Sequence, residues 1–160
     1  MSFLGDLIEF LRRHRDPAPA PPPVAPSLPG GYTEMQQALL VVHNQARAAR
    51  GLPPLAPDPR LCAAAQGHAD RMAAAGTLAH QLPGEPDPFA RMRDAGYAYM
   101  WAGENIADGQ LDAPTVVEDW LDDPPHAANV LGHYTHLGAG LAAAADGTLY
   151  WCCDYGRPAS

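Results

Sequence analysis

A run of prolines near the start of the chain separates it into parts that cannot share one core. Residues 17–29, PAPAPPPVAPSLP, hold seven prolines in thirteen positions. Such a segment favours polyproline II, which has no internal hydrogen bonds and rises about 3.1 Å per residue, so it predicts a stiff spacer of about 40 Å. We therefore expect three parts: residues 1–16, a linker of residues 17–31, and one domain of residues 32–160.

The first part has the pattern of a short amphipathic helix. Asp6 and Glu9 interrupt its apolar residues, and its arginines follow the apolar run, unlike a usual signal peptide. A helix with an apolar face on a stiff arm needs something to cover that face, so we expect residues 1–16 to bind a protein partner or to self-associate. Membrane contact is expected only through this helix. The apolar residues at helical spacing are Phe3, Leu4, Leu7, Ile8 and Leu11.

Charge and cysteine content exclude some classes of function. The formal net charge is −8 and the isoelectric point is about 5.1, so the surface would repel a polyphosphate and nucleic acid is not an expected partner. Cys152 and Cys153 are adjacent and would not readily bridge each other. A bridge from Cys62 to either is geometrically possible, but three buried thiols are the preferred interpretation.

The domain is predicted to contain four helices followed by a β-hairpin. Asp146-Gly147 is a strong hairpin turn signal between the two closing stretches THLGAGLAAA and GTLYWCCDY. Helices followed by a terminal hairpin predict an α+β domain with helices packed on a small antiparallel sheet. The predicted helices begin after Thr33 and end near Gly51, run from Pro59 to Gly76, from Asp87 to Gly96, and over residues 113–122.

Histidines and one glutamate are the candidates for chemistry. His43 and His68 lie inside helical patterns, where a hydrogen-bonded structural histidine is the expected role. His80 follows a helix end and is freer to point into a cleft. Glu104 in WAGENIADG is expected to be a buried or half-buried acid on a short extended segment. Such an acid needs a partner, either a structural contact or a histidine and metal. No serine or cysteine occupies a recognisable nucleophile motif.

Three segments together resemble the CAP superfamily of cysteine-rich secretory proteins, antigen 5 and pathogenesis-related class 1 proteins, in its bacterial form. They are LLVVHNQARAARGLPPLAPDPRLCAAAQGHADRMAAAGTLAHQ, GYAYMWAGENIADG and VVEDWLDDPPHAANVLGHYTHLGAGLA, and the resemblance spans residues 34–156. It implies an α-β-α sandwich. It also implies a cleft in which two histidines and two acids can hold a divalent cation such as Zn²⁺.

Carried over residue by residue, the resemblance makes His80 the first histidine and Glu104 the first acid. His133 matches the eukaryotic Gly-His-Tyr-Thr string in letters, but the distance to Gly138 favours His126, twelve residues before it against five for His133. Asp123, three residues after Trp120, is the expected second acid. Asp122 and Glu118 are the alternatives. The predicted metal ligands are thus His80, Glu104, Asp123 and His126.

Two functions of different classes follow. The first is a binding module with a cation-holding cleft, displayed through residues 1–16 on an extracellular or phage-type particle assembly; a cytoplasmic location stays open. The alternative is a zinc-assisted hydrolase of peptide, peptidoglycan or lipid ester, in which Glu104 and His126 would be catalytic. Carriage of an apolar ligand, which the resemblance also implies, ranks last. Fold alone does not decide between them.

Overall fold

The computed structural model describes residues 33–160, so the predicted helix 1–16 and linker 17–31 lie outside the described residues. None of the helices within residues 33–160 is long and apolar enough to cross a membrane. The helices are α1 (Glu34–Ala48), α2 (Pro59–Ala75), α3 (Pro88–Asp94), α4 (Ala113–Asp122) and α5 (Pro124–Val130). The strands are β1 (Ala56–Pro57), β2 (Tyr99–Asp108), β3 (His136–Ala143) and β4 (Leu149–Pro158).

The four predicted helices are confirmed, and side-chain caps explain where they begin. Thr33 forms a capping box with Gln36 at the start of α1. Aspartates cap α2, α3 and α4 by accepting hydrogen bonds from backbone N–H groups of the first turn, and a proline occupies the first or second helical position in each. Gly76, with φ of 59°, ends α2 in the left-handed conformation.

The sheet has the strand order β1-β3-β4-β2, with β1 parallel to β3 and the other pairs antiparallel. The predicted β3–β4 hairpin is confirmed, with Gly147 at φ of 89° in its turn. Sequence analysis underestimated β2, expected as a short extended segment but ten residues long. It missed α5, because a seven-residue helix that begins with two prolines is too short to show helical periodicity.

Helices cover both faces of the sheet, as expected for an α-β-α sandwich. On one face α2 packs against β3 and β4, and on the other α1 packs against β3 and α4. The α2 layer lies unusually close to the sheet because β3 carries Gly138 and Gly140, whose Cα atoms face the α2 backbone. The main core lies in the other layer and includes Leu39, Val116, Val117, Trp120, Trp151 and Tyr155.

His43 is a structural residue, as predicted. Its ring is fully buried; Nδ1 donates to the carbonyl of Leu39 at 2.7 Å and Nε2 accepts from the Tyr155 hydroxyl at 2.8 Å. Burial lowers the pKa of His43 to about 4, so the ring is neutral at pH 7. This pair joins α1 to the centre of the sheet.

Arg47, one turn further along α1, fixes the far end of α5. Its buried guanidinium donates to the carbonyls of Val130 and Gly132 at 3.0 and 2.9 Å. Asn44 makes two hydrogen bonds with the backbone of Leu55, at 3.0 and 2.8 Å. The polar residues of the HNQAR stretch thus hold neighbouring backbone segments in place.

All three cysteines are buried and free, in agreement with the preferred interpretation. Burial raises the pKa of Cys62, and it raises the pKa values of Cys152 and Cys153 well above the ordinary thiol value. These thiols are protonated at neutral pH and fill space as small apolar groups.

The close approach of α2 to β3 makes a direct prediction. A Cβ added at Gly140 would lie 2.5 Å from the backbone carbonyl carbon of Ala65, which rigid backbone cannot accommodate. Gly140→Ala is expected to lower the free energy of unfolding by about 3 kcal/mol in urea denaturation. The matched control is Gly67→Ala within α2, where an added Cβ meets nothing within 4 Å; it should stabilise by about 0.5–1 kcal/mol. Equal effects would contradict the packing.

Candidate functional site

The site is built on β2, the outermost strand of the sheet. The backbone carbonyls of an edge strand need partners other than a neighbouring strand. Here three alternate carbonyls of β2 accept hydrogen bonds from side chains of the layer that contains α4 and α5. These bonds run from Tyr134 Oη to Ala102 at 3.4 Å, from Asn129 Nδ2 to Glu104 at 3.2 Å, and from Trp120 Nε1 to Ile106 at 3.2 Å.

Glu104 lies in the middle of β2 with its carboxylate buried on the α2 side of the sheet. Its Oε1 accepts from His80 Nδ1 at 2.8 Å, and its Oε2 accepts from the Arg91 guanidinium. Burial alone would raise the pKa of Glu104, but the His80 hydrogen bond and the positive charge of Arg91 outweigh it and hold the pKa below the ordinary value. Glu104 is therefore a buried carboxylate that stays ionised.

Arg91, on the buried side of α3, is a site residue that sequence analysis missed. It is 6% exposed and donates to the backbone carbonyls of His80 and Pro86 at 3.0 and 2.9 Å as well as to Glu104. One guanidinium thus fixes both the loop that carries His80 and the acid that His80 contacts. Seven residues of helix offer too little periodicity to reveal an inward-pointing arginine.

A second buried acid, Glu85, supports this arrangement from the same loop. Its Oε1 interacts with His68 Nδ1 at 2.8 Å and with the Arg71 guanidinium at 3.1 Å, and it lies 3.6 Å from Arg91. Burial would raise the pKa of Glu85, but the His68 hydrogen bond and the nearby positive charges lower it. His68 is therefore a structural histidine, as predicted.

His126 and Asp123 form a separate pair at the start of α5. Asp123 is the N-terminal cap residue of this helix, but its Oδ2 lies 2.7 Å from His126 Nδ1 instead of bonding to the backbone. The His126 side chain is 32% exposed. Asn105 Nδ2 donates to the backbone carbonyl of His126 at 3.0 Å, which ties this position to β2.

His133 is exposed and stacks edge-on against Trp101, with ring centroids 6.4 Å apart. Its neighbour Tyr134 bonds to Ala102 and Asn129. Tyr134 of the Gly-His-Tyr-Thr string thus attaches the segment before β3 to β2 and α5.

Directly across the sheet from Glu104, on β4, lies Asp154, which sequence analysis did not select. It is fully buried, and one of its oxygens, Oδ2, has no hydrogen-bond partner within residues 33–160. Burial and the adjacent negative charge of Glu104 raise the pKa of Asp154 well above the ordinary value. Glu104 and Asp154 are therefore a carboxylate and a carboxylic acid side by side.

The sequence comparisons identify the family at this point. The pattern of the cysteine-rich secretory protein (CAP) family matches residues 40–155. The chain belongs to the CAP family. YkwD of Bacillus subtilis, an uncharacterized protein, is 33% identical over 71% of this chain, which spans 45% of that protein. Pathogenesis-related protein 1A of Nicotiana tabacum is 30% identical over 77% of this chain and 75% of its own length.

Solved structures give the same fold. An extracellular SCP-domain protein from Bacillus anthracis superposes with a TM-score of 0.71 at 25% identity, over 84% of this chain and 45% of its own. An outer surface protein of Borrelia burgdorferi superposes with a TM-score of 0.72 at 20% identity, over 79% and 94% of the two chains. The chain thus spans less than half of two relatives, YkwD and the Bacillus anthracis protein.

In this CAP domain the three recognised motifs form one hydrogen-bond network. Tyr155 accepts from Asn105 Nδ2 at 3.2 Å and donates to His43, so the motif of α1 and that of β2 meet at one hydroxyl. Asn129 Nδ2 donates to Asn105 Oδ1 at 2.8 Å, which adds the motif of α5. The three motifs occur together in the sequence because their side chains hydrogen-bond to one another in the folded domain.

The predicted ligands occur in the CAP domain as two pairs from opposite layers beside β2. His80–Glu104 lies on the α2 side, and Asp123–His126 lies at the start of α5. Among residues 33–160, the one group of three side chains with potential ligand atoms all within 4.8 Å of one another is a different set, Glu104, Cys152 and Asp154. Asp123 is exposed, as are the alternative acids Asp122 and Glu118, and of the three only Asp123 lies beside a candidate histidine. The four-ligand set therefore stays a prediction.

The pairing suits a metal held by the histidines. Histidines that bind metals commonly direct the other ring nitrogen at a carboxylate, which fixes the ring and its tautomer. His80 Nδ1 hydrogen-bonds to Glu104 at 2.8 Å, and His126 Nδ1 lies 2.7 Å from Asp123 Oδ2. No hydrogen bond from within residues 33–160 occupies Nε2 of either ring. The donor set fits a divalent cation such as Zn²⁺, with the carboxylates as orienting groups or ligands.

Proposed function

We propose that this CAP domain is a binding module whose cleft beside β2 holds a divalent cation between His80 and His126. The observation that carries this proposal is that each histidine has a carboxylate oxygen within 2.8 Å of its Nδ1, from Glu104 at His80 and from Asp123 at His126. They come from opposite layers of the sandwich, so a cation bound to both would link α5 to the loop after α2. Such a link would order the cleft for a ligand.

The residues around the cleft support binding more strongly than hydrolysis. Both oxygens of Glu104 are engaged, one with His80 and one with Arg91, and the carboxylate is 3% exposed. A general base needs a free oxygen within reach of its substrate's proton. The hydrolase with Glu104 and His126 as catalytic residues is therefore the second candidate.

We propose further that residues 1–16 and the linker 17–31 attach this module to an extracellular or particle assembly. The amphipathic pattern of residues 1–16 and the proline content of the linker support a docking element held away from the domain. The Bacillus anthracis relative is described as extracellular, which favours the same location here. The acidic net charge again argues against nucleic acid as the partner.

The proposed cation site predicts zinc binding that depends on His80 and His126. Calorimetric titration of the protein with Zn²⁺ should show an equivalent that is lost in the double variant His80→Ala/His126→Ala, with a fall in affinity of more than about 100-fold. His133→Ala is the matched control, since His133 is an exposed histidine near the same strand. It should bind zinc as the unaltered chain does. The same affinity and stoichiometry in the double variant would remove the cleft site.

If zinc binds, turnover separates the two candidate functions. If the domain is a binding module, it should show no zinc-dependent cleavage of peptide, peptidoglycan fragments or lipid esters. Zinc-dependent turnover that Glu104→Gln abolishes would favour the hydrolase instead.

The proposed attachment predicts that association of the protein depends on residues 1–16. Deleting residues 1–16 should abolish association of the protein, whether with other copies of the same chain or with a particle assembly. Sedimentation velocity measures this association. It should leave the melting temperature of the domain unchanged, since residues 33–160 carry their own core. Association that survives the deletion would contradict the proposed role of the segment.

A further inference from the structure

A second group of potential ligands lies on the inner side of Glu104. Glu104, Cys152 and Asp154 are all buried, and their ligand atoms lie within 4.8 Å of one another. Cys152 Sγ is 3.5 Å from Glu104 Oε2 and 3.9 Å from Asp154 Oδ1. The strand register explains the grouping, since Glu104 pairs directly with Asp154, and Cys152 lies two residues earlier on the same face of β4.

Within the described part of the chain, one polar atom of this group is buried without a hydrogen-bond partner. Asp154 Oδ2 is buried without a hydrogen-bond partner within residues 33–160. Leaving such an atom unpaired costs about 1–3 kcal/mol, so a folded protein normally gives it a partner. A cation bound beside Asp154 would satisfy this oxygen.

We propose that Glu104, Cys152 and Asp154 form a buried binding site for a divalent transition-metal ion, which borders the histidine cleft and shares Glu104 with it. One thiolate and two carboxylates favour Zn²⁺ or a similar ion over Ca²⁺ and Mg²⁺, which prefer oxygen ligands alone. Asp154 has two oxygens to offer, so the three side chains can supply four donor atoms. The site extends beyond the proposed function and uses no histidine.

The charge balance of the interior is compatible with such an ion. In the metal-free protein the Cys152 thiol donates to Glu104 Oε2 at 3.5 Å, and the carboxyl group of Asp154 is buried beside the same carboxylate. Binding of M²⁺ forms bonds from the metal to sulfur and to carboxylate oxygen, and breaks one S–H and one O–H bond, releasing two protons to solvent. The metal ion brings two positive charges into the core and the two released protons remove two, so the net charge of the core does not change.

Glu104 separates this group from solvent together with His80. Its Oε1 faces His80, whose side chain is 52% exposed, while its Oε2 faces Cys152 and is shared with Arg91. An ion would enter past the His80 ring.

The test is titration of the full, metal-stripped chain with Co²⁺, followed by absorbance. Cobalt bound to a thiolate gives an intense near-ultraviolet charge-transfer band, which histidine and carboxylate ligands do not give. We expect the band to saturate at one equivalent in the unaltered chain and to be absent in Cys152→Ser. Cys153→Ser is the matched control, because Cys153 is equally buried but faces the opposite layer; it should keep the band.

The outcomes separate this site from the histidine cleft. The variant His126→Ala should keep the band even where it weakens zinc binding in the cleft, because the ring of His126 contacts Asp123 and not Glu104. A missing band in the unaltered chain, or a band that survives Cys152→Ser, would overturn the proposal. Should Cys152→Ser not fold, Asp154→Asn decides the matter: we expect at least a tenfold loss of cobalt affinity, and unchanged affinity would overturn the site.

Discussion

The arrangement of the cleft depends on one buried carboxylate. Glu104 lies inside the sandwich, where an isolated charge would cost several kcal/mol, on the order of the whole stability of a small domain. Arg91 and His80 compensate that charge, and in doing so they determine the positions of α3 and of the loop that follows α2. The contacts that neutralise this buried charge therefore also form the site.

The other half of the cleft depends on the free edge of the sheet. Within residues 33–160, strand β2 has no neighbour beyond it, and its outward carbonyls are occupied by the side chains of Tyr134, Asn129 and Trp120. Gly103 allows this, because a Cβ there would meet Asn129 Oδ1 at 2.5 Å. The edge that could pair with another chain is instead where α5 is attached, and this places His126 beside the strand that carries Glu104.

Local chemistry made much of the fold predictable. Thr33, Pro59 and Gly76 mark helix ends because caps act within one turn, and Asp146-Gly147 marks a hairpin for the same reason. The structural roles of His43 and His68 and the free thiols were also predicted. Motif order, rather than any single motif, predicted the family and made His80 and Glu104 members of one candidate site.

What escaped prediction depends on long-range contacts. Arginine and aspartate ordinarily lie at the surface, and nothing within a few residues of Arg91 or Asp154 shows that each faces Glu104. Alternation in YWCCDY does place Cys152 and Asp154 on one face of a strand, but only the register with β2 brings them to the acid. The length of β2 was missed because residues 103–107 are all buried, which removes the alternation that marks a strand.

The central claim, that Arg91 holds Glu104 in the core, is tested most directly by a double-mutant cycle in the metal-free protein. The free energies of unfolding of Arg91→Gln, Glu104→Gln and the double variant, measured in urea, give the coupling between the two side chains. A buried, hydrogen-bonded ion pair predicts a coupling of about 3 kcal/mol, with the double variant more stable than the two single losses would imply. A coupling below about 0.5 kcal/mol, as found for exposed pairs, would contradict the account.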